Sequence, residues 1–102
     1  VVFSAAKAGV QVLKANHLAV AARVRVLCDV NAVPPAGIAG VEPTADAVAH
    51  PGTPAGALAI GALAVGNVKY RTQHALLQQM LADGGPVFLD LLAAFEVARG
   101  EP

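Results

Sequence analysis

Charge is scarce in this sequence and balanced in sign. Asp, Glu, Lys and Arg make up 14% of the 102 residues, whereas an average soluble domain has about 25%. Seven basic and seven acidic residues cancel, so the chain lacks the basic surface that binding to nucleic acid requires. With 56% hydrophobic residues, such low charge predicts that other protein covers part of the surface. The alternative explanation is that proteins of the source are generally rich in alanine, which makes up much of the hydrophobic count here.

Cysteine is almost absent, which excludes an internal disulfide. The single thiol, Cys28, lies in an apolar stretch, and this setting favours a buried, inert side chain over a nucleophile. The histidines His17, His50 and His74 are far apart in the sequence, and no Cys/His spacing suits a zinc site. We therefore predict no metal site. A free thiol without disulfides fits a reducing cytoplasm.

No stretch has the length and apolarity of a membrane span. The longest weakly polar run is Ala55–Val68, which contains three glycines and falls short of the roughly 20 residues that a spanning helix needs. The N-terminus has no basic segment before an apolar run, so the sequence shows no signal peptide. We predict a cytoplasmic protein with no membrane partner.

Three stretches have the composition of β-strands. Val1–Ala5 is β-branched and aromatic, and Ala57–Ile60 is a short apolar segment. Val24–Val30 is apolar on both faces, as expected of a central parallel strand covered by helices on both sides. The intervening segment Asn31–Gly56 is rich in proline and glycine, which predicts little regular structure. A loop this long predicts a functional or covering role.

Apolar residues at three- and four-residue spacing predict two helices near the C-terminus. The first is Asn67–Leu81, with Gly66 in the turn before it, and Asp83–Pro86 ends it by turn chemistry. The second is Leu89–Arg99. Irregular apolar spacing predicts one or two helical turns between the first two strands, with Asn16 as a cap.

This order of elements predicts an α/β fold. Strand, helical turns, strand, long loop, strand and two helices match the C-terminal half of a Rossmann-like doubly wound parallel sheet. We therefore interpret residues 1–102 as one partial domain whose first βαβ half is absent, since no G-x-G-x-x-G occurs in the sequence. Two or three parallel strands leave an exposed edge, which predicts that further polypeptide docks there.

The segment Asp29–Gly40 reads DVNAVPPAGIAG. It resembles the NAD(P)-dependent methylene-tetrahydromethanopterin dehydrogenases, in which a strand ends in D-x-N-A-x-P-P-x-G-I-x-G. The similarity extends back to Val1–Leu13 and forward through Gly61–Leu81, in the same order and with similar spacing. The resemblance thus covers nearly the whole chain, and the N-A-x-P-P-x-G-I-x-G segment is its specific part.

The chain departs from the family pattern at two places. The family has a pair of glycines where this sequence has Gly66 and Asn67, and a histidine where it has Gln73, with His74 following. These departures, and the missing glycine-rich turn, keep a second hypothesis open. In it, the chain is a non-catalytic or truncated Rossmann-like interaction module.

The resemblance implies part of an oxidoreductase that transfers a hydride between methylene-tetrahydromethanopterin, or a related pterin, and NADP or NAD. The cofactor carries that chemistry, and the protein positions it against the one-carbon pterin substrate. The partial domain is then an NAD(P)-binding one, the substrate domain is also absent, and the missing polypeptide is the remaining part of the same enzyme. We expect a homo-oligomer, and we expect the isolated chain to be inactive and to bind NADP weakly.

Candidate cofactor-binding residues lie where predicted strands end, because ligands of doubly wound sheets bind outside the carboxyl ends of the strands. They are Ser4, Ala5, Ala6, Asn31, Pro34 and Gly61. No general acid and base pair is visible, so the catalytic residues stay unassigned.

Each candidate has a structural alternative. The small residues after the first strand either let the backbone approach a cofactor or simply close a turn. Asn31 has a donor and an acceptor that suit a carboxamide or a pterin edge, or it caps the turn that Pro34 stiffens. Asp29 either accepts backbone N–H groups and orients the loop, or faces the pocket. Gly61 either permits close approach of the cofactor or begins a helix.

Overall fold

A computed structural model describes residues 1–82 and 84–100 and has the element order of an α/β protein. The strands are β1 (Val2–Ser4), β2 (Val26–Asp29), β3 (Asp46–Ala49) and β4 (Leu58–Ile60), and the helices are α1 (Ala15–Ala19), α2 (Ala62–Ala82) and α3 (Leu91–Gly100). The chain divides into two compact units, Val1–Val65 and Gly66–Pro102. Asp83, predicted to begin the turn after the first long helix, lies outside the described residues.

The sheet has four strands in the order β1-β2-β4-β3. Strand β2 is parallel to both of its neighbours, with Cys28 opposite Phe3 on one side and opposite Ile60 on the other. The predicted central parallel strand is confirmed, and so is the α/β class. The assignment to the C-terminal half of a Rossmann-like sheet stays a prediction, as does the single partial domain.

Strand β3 corrects the prediction for Asn31–Gly56, which contains an edge strand antiparallel to β4. All four residues of β3 are exposed. The strand therefore has no buried face that would produce an alternation of apolar and polar residues in its sequence. Backbone pairing defines it instead, and beside it the N–H of His50 donates to the carbonyl of Ala57 at 2.7 Å. Ala47 has a φ of 55° within a register shift, as in a β-bulge. The sheet is therefore mixed, not wholly parallel.

Two helix boundaries also differ from prediction. Asn16 lies inside α1 and does not cap it, because the helix begins at Ala15 and its N-cap is Lys14. The ring Nδ1 of His17 accepts the N–H of Lys14 at 3.1 Å. Helix α2 begins at Ala62, so Gly66 is a helical residue and not a turn residue. A tertiary hydrogen bond from the N–H of Leu63 to the carbonyl of Pro43 stabilises this early first turn of the helix.

The hydrophobic core of the first unit is small. Its buried members are Leu18, Leu27, Ile38, Val41, Ala57 and Ala59. Leu27 and Ile38 are its largest fully buried apolar side chains, and each contributes about 1.5–3 kcal/mol of stability. Ile38 belongs to the loop after β2, so this loop forms part of the core and is anchored by it.

Large apolar side chains are exposed on both units. Phe3 of edge strand β1 is 62% exposed, and Phe95 of α3 is 57% exposed. Helix α3 has no buried residue. Within residues 1–82 and 84–100, no helix is long and apolar enough to cross a membrane. The same residues contain no group of three or more His, Cys, Asp or Glu side chains that could hold a metal ion.

Candidate functional site

The carboxylate of Asp29 organises the loop that follows β2. It is 1% exposed, its Oδ1 accepts the N–H of Asn31 at 3.0 Å, and its Oδ2 accepts the N–H of Ile38 at 2.9 Å. Backbone N–H groups that donate to a carboxylate form hydrogen bonds of the stronger, charge-assisted kind. The two bonds close residues 31–38 back onto the end of the strand. This confirms the interpretation of Asp29 as a buried, loop-orienting carboxylate.

Asn31 forms the first turn of this loop. Its side chain is buried, its Oδ1 accepts the N–H of Val33 at 2.9 Å, and its Nδ2 donates to the carbonyl of Pro35 at 3.1 Å. These bonds are those of the capping alternative. An amide has two donor hydrogens and two acceptor lone pairs, so one of each is left over from these two bonds. Contact of Asn31 with a cofactor stays a prediction.

Ser4 lies beside Asp29 at the carboxyl ends of two parallel strands. Its Oγ is the one buried side-chain N or O atom of the described residues that has no hydrogen-bond partner. A Cβ built on Gly37 would lie 3.0 Å from this oxygen, so the loop covers the hydroxyl closely. An unpaired buried hydroxyl costs roughly 1–3 kcal/mol. Ser4 therefore meets the loop directly, and its contact with a cofactor stays a prediction.

The turn after β1 contacts the same loop. Ala5 and Ala6 are exposed, and Gly9 has a φ of +76°. A Cβ on Gly9 would lie 3.7 Å from both the carbonyl oxygen of Pro34 and Cγ1 of Val33. The structure thus brings together the two predicted site segments that follow β1 and β2. Cofactor contacts of the two alanines stay predictions.

The loop after β2 forms a cleft, which we call the loop cleft. It is lined by Asn31, Ala32, Val33, Pro34, Ala36, Gly40, Val41, Glu42 and Pro43, and its volume is about 180 Å³. Sites for complete drug-sized ligands have about 300–1,000 Å³. The loop cleft therefore has room for one ring system and not for a whole dinucleotide. Two predicted residues, Asn31 and Pro34, line it.

Gly61 lies against Glu42 and Pro43, two of the residues that line the loop cleft. A Cβ at this position would overlap the carbonyl oxygens of Glu42 and Pro43. The N–H of Gly61 donates to the carbonyl of Ala45 at 2.8 Å, and the N–H of Leu63 donates to Pro43 at 2.9 Å. Gly61 thus packs closely against the chain's own backbone, which is a different contact from the approach to a cofactor that was predicted for it. Cofactor contact of Gly61 stays a prediction.

His50 lies against Gly40, another residue that lines the loop cleft. No role was predicted for it. It is 5% exposed, its Nε2 lies 2.8 Å from the carbonyl of Ala39, and its Nδ1 accepts the N–H of Gly52 at 3.0 Å. Because the backbone N–H must donate, Nδ1 is unprotonated and Nε2 carries the hydrogen. A Cβ on Gly40 would lie 2.7 Å from Nε2. The signal in the sequence was a histidine followed by Pro51 and Gly52.

Cys28 is buried in the middle of the sheet. Burial, and then the nearby charge of Asp29, raise the pKa of its thiol above the ordinary value. The thiol therefore stays protonated near neutral pH, and only the thiolate is a good nucleophile. This confirms the prediction of a buried, inert cysteine.

The position where the chain departs from the family histidine lies in the second unit. Gln73 and His74 line a groove of about 530 Å³ together with Tyr70 and Leu89. The rings of Tyr70 and His74 stack, with centroids 6.2 Å apart and an interplanar angle of 7°. His74 thus has a packing partner within its own unit.

The residues at the ends of β1 and β2 suit an uncharged ring, such as that of a nicotinamide or a pterin, better than a phosphate group. Asn31 retains one donor and one acceptor, and no Lys, Arg or His lines the loop cleft. The unpartnered hydroxyl of Ser4 lies at the same sheet edge. A site for phosphate needs basic side chains or a helix N-terminus, and the loop cleft has no basic side chain.

A curated relative covers nearly all of this sequence. The NAD(P)-dependent methylenetetrahydromethanopterin dehydrogenase of Methylorubrum extorquens is 47% identical over 98 residues, which are 96% of this chain and 32% of the dehydrogenase. The chain thus spans about a third of the length of the relative that it matches. No family profile and no solved structure matches it. The predicted resemblance is confirmed as a similarity of this chain to about a third of one such NAD(P)-dependent dehydrogenase.

Proposed function

We propose that this chain is the C-terminal half of the NAD(P)-binding domain of an oxidoreductase. The reaction is hydride transfer between methylene-tetrahydromethanopterin, or a related pterin, and NADP or NAD. The observation that carries the proposal is the 47% identity over 98 residues to a dehydrogenase with that cofactor and substrate in its name. Such identity over nearly the whole chain supports a shared fold and a shared role for this portion.

The carboxyl ends of β1 and β2 supply the groups for this role. Ala5 and Ala6 let the cofactor approach the backbone after β1 because their side chains are small. Asn31 and Pro34 form a stiff edge that limits the entropy lost when a ligand binds. Ser4 lies against the loop at Gly37, and Gly61 lies against Glu42 and Pro43 of the loop cleft. A nicotinamide cofactor would supply the hydride chemistry when bound, and the role of this chain's residues would be to orient it and to exclude water.

Asp29 is the positioning residue in this proposal. It is 1% exposed, and it fixes the Asn31–Ile38 segment through two backbone N–H groups. A misplacement of about 1 Å costs on the order of 100-fold in rate. The loop therefore needs the rigid anchor that a buried carboxylate provides.

A segment exchange tests the proposed function. The 98 matching residues of the Methylorubrum extorquens dehydrogenase are replaced by those of this chain, and hydride transfer is followed by NADPH absorbance. We expect the exchanged protein to fold and to retain catalysis. The isolated chain is expected to bind NADP⁺ more weakly than micromolar, because most of the site lies in the remaining polypeptide.

A matched pair of variants controls the exchange. Asp29→Asn in the exchanged protein is expected to lower the rate at least tenfold, since an amide offers one acceptor oxygen where the carboxylate offers two. Asp46→Asn, on exposed edge strand β3, removes the same charge and leaves the rate unchanged. A folded exchanged protein that binds neither cofactor nor pterin would show that the chain is an interaction module without this function.

A further inference from the structure

Among the described residues that line the loop cleft, Glu42 is the one charged residue. Its side chain is exposed, and no other described residue forms a hydrogen bond or ion pair with it. Neither the fold nor the loop uses this carboxylate. It is therefore available to a ligand in the loop cleft.

The backbone that carries this side chain is held firmly. The carbonyl of Glu42 accepts the N–H of Ala45 at 3.0 Å, and Gly61 approaches the same carbonyl so closely that no Cβ fits between them. Core residue Val41 precedes it. A charged group on such a rigid support binds a partner with little loss of backbone entropy.

The charge and volume of the loop cleft restrict what it binds. A carboxylate with no basic neighbour repels phosphate and attracts N–H or O–H donors. About 180 Å³ accommodates one ring system. Two groups of the proposed reaction meet both conditions, namely the carboxamide ring of nicotinamide and the aminopyrimidinone ring of the pterin.

We infer that Glu42 binds the aminopyrimidinone edge of the pterin and determines specificity for it, an inference that rests on the proposed function. The aminopyrimidinone has a ring N–H and an exocyclic NH₂ side by side, which match the two oxygens of a carboxylate in a paired, fork-like contact. Nicotinamide has a single amide NH₂. The unused N–H of Asn31, on the same loop cleft, suits the ring carbonyl next to the paired N–H.

Titration of the isotope-labelled chain with 6-hydroxymethylpterin, followed by NMR, tests this assignment. We expect shifts of the Asn31 side-chain amide and of the Gly40 and Val41 backbone amides. Glu42→Gln is expected to weaken binding at least tenfold, because hydrogen bonds to a charged group contribute about 1.5–3 kcal/mol. Glu96→Gln, which removes the same charge from exposed α3, leaves binding unchanged.

Two further ligands separate the possible sources of the signal. Lumazine has an oxygen in place of the exocyclic NH₂ of pterin, so it is expected to bind at least tenfold more weakly to the wild-type chain and to be insensitive to Glu42→Gln. Nicotinamide is expected to show no dependence on Glu42. Equal binding of pterin and lumazine, or a Glu42-dependent nicotinamide signal, overturns the inference.

The exchanged dehydrogenase distinguishes failure of this inference from failure of the proposed function. If that protein is active and Glu42→Gln leaves its KM for the pterin unchanged, the inference is wrong and the proposed function stands. If it is inactive while pterin binding to the chain depends on Glu42, the proposed function is wrong and the pterin site stands. Absence of pterin binding to both proteins overturns the inference.

Discussion

The carboxylate of Asp29 occupies the space that a side chain at Gly37 would need. A Cβ built on Gly37 would lie 2.9 Å from Oδ1 of Asp29, closer than real Cβ contacts allow, and 3.1 Å from Oδ2, which is tighter than most of them. The same carboxylate binds the N–H of Ile38, the next residue. The loop after β2 thus crosses the end of the strand at a distance that only glycine permits, and the loop cleft takes its shape from this crossing.

Gly37→Ala is therefore expected to destabilise the chain by about 2–4 kcal/mol, because the added methyl group displaces the buried carboxylate from its two N–H partners. Denaturant unfolding measures this change. Gly66→Ala is the matched control, since Gly66 lies inside α2 with nothing within 4 Å of an added Cβ. It is expected to stabilise by about 0.5–1 kcal/mol. Equal effects of both substitutions would contradict the contact described.

Replacement of His50 is expected to have a graded effect. His50→Ala loses both hydrogen bonds of a buried ring, including the one from the N–H of Gly52, which costs about 2–4 kcal/mol. His50→Asn places an oxygen near the former Nδ1 and keeps the Gly52 partner, so its cost is smaller, about 1–2 kcal/mol.

The control for both variants is His74→Asn, at an exposed position of α2 in the second unit, with an expected change within about 0.5 kcal/mol. Thermal unfolding ranks the three proteins. If His50→Asn proved as costly as His50→Ala, the assignment of Nδ1 as the acceptor for Gly52 would be wrong.

The raised pKa of Cys28 predicts slow alkylation and a pH-dependent stability. In the folded chain the pKa of the thiol is higher than in the unfolded chain. At low pH the thiol is protonated in both states, because the pH lies below both pKa values. Above the unfolded thiol's pKa, near 9.0, the unfolded state loses its proton first. Stability from this group is therefore present below that pH and is lost as the pH rises through the folded value.

Iodoacetamide labelling and unfolding at several pH values check this prediction. Labelling is expected to be slow in buffer and fast in denaturant, and Cys28→Ala is expected to remove the fall in stability that this group causes above about pH 9. Rapid labelling of the native chain at neutral pH would show that the thiol is neither buried nor protonated.

The candidate site was partly readable from local sequence. Asn31 and Pro34 line the loop cleft, and the polar residue after an apolar strand was the signal, since strand ends of parallel sheets meet at one edge. Glu42 gave no such signal, because its proximity to Asn31 depends on how the loop folds back. His50 had only the Pro51 and Gly52 that follow it as a signal, because its two partners are backbone groups, which every residue has.

Local hydrophobic spacing was enough to predict the order of the elements other than β3, including the apolar central strand β2 and the two C-terminal helices. Strand β3, the early start of α2 at Ala62 and the shape of the loop cleft could not be predicted in this way. Each of these depends on backbone hydrogen bonds and close approaches between segments distant in the chain, such as Gly61 against Glu42. Such pairings leave no periodic pattern in the residues that make them.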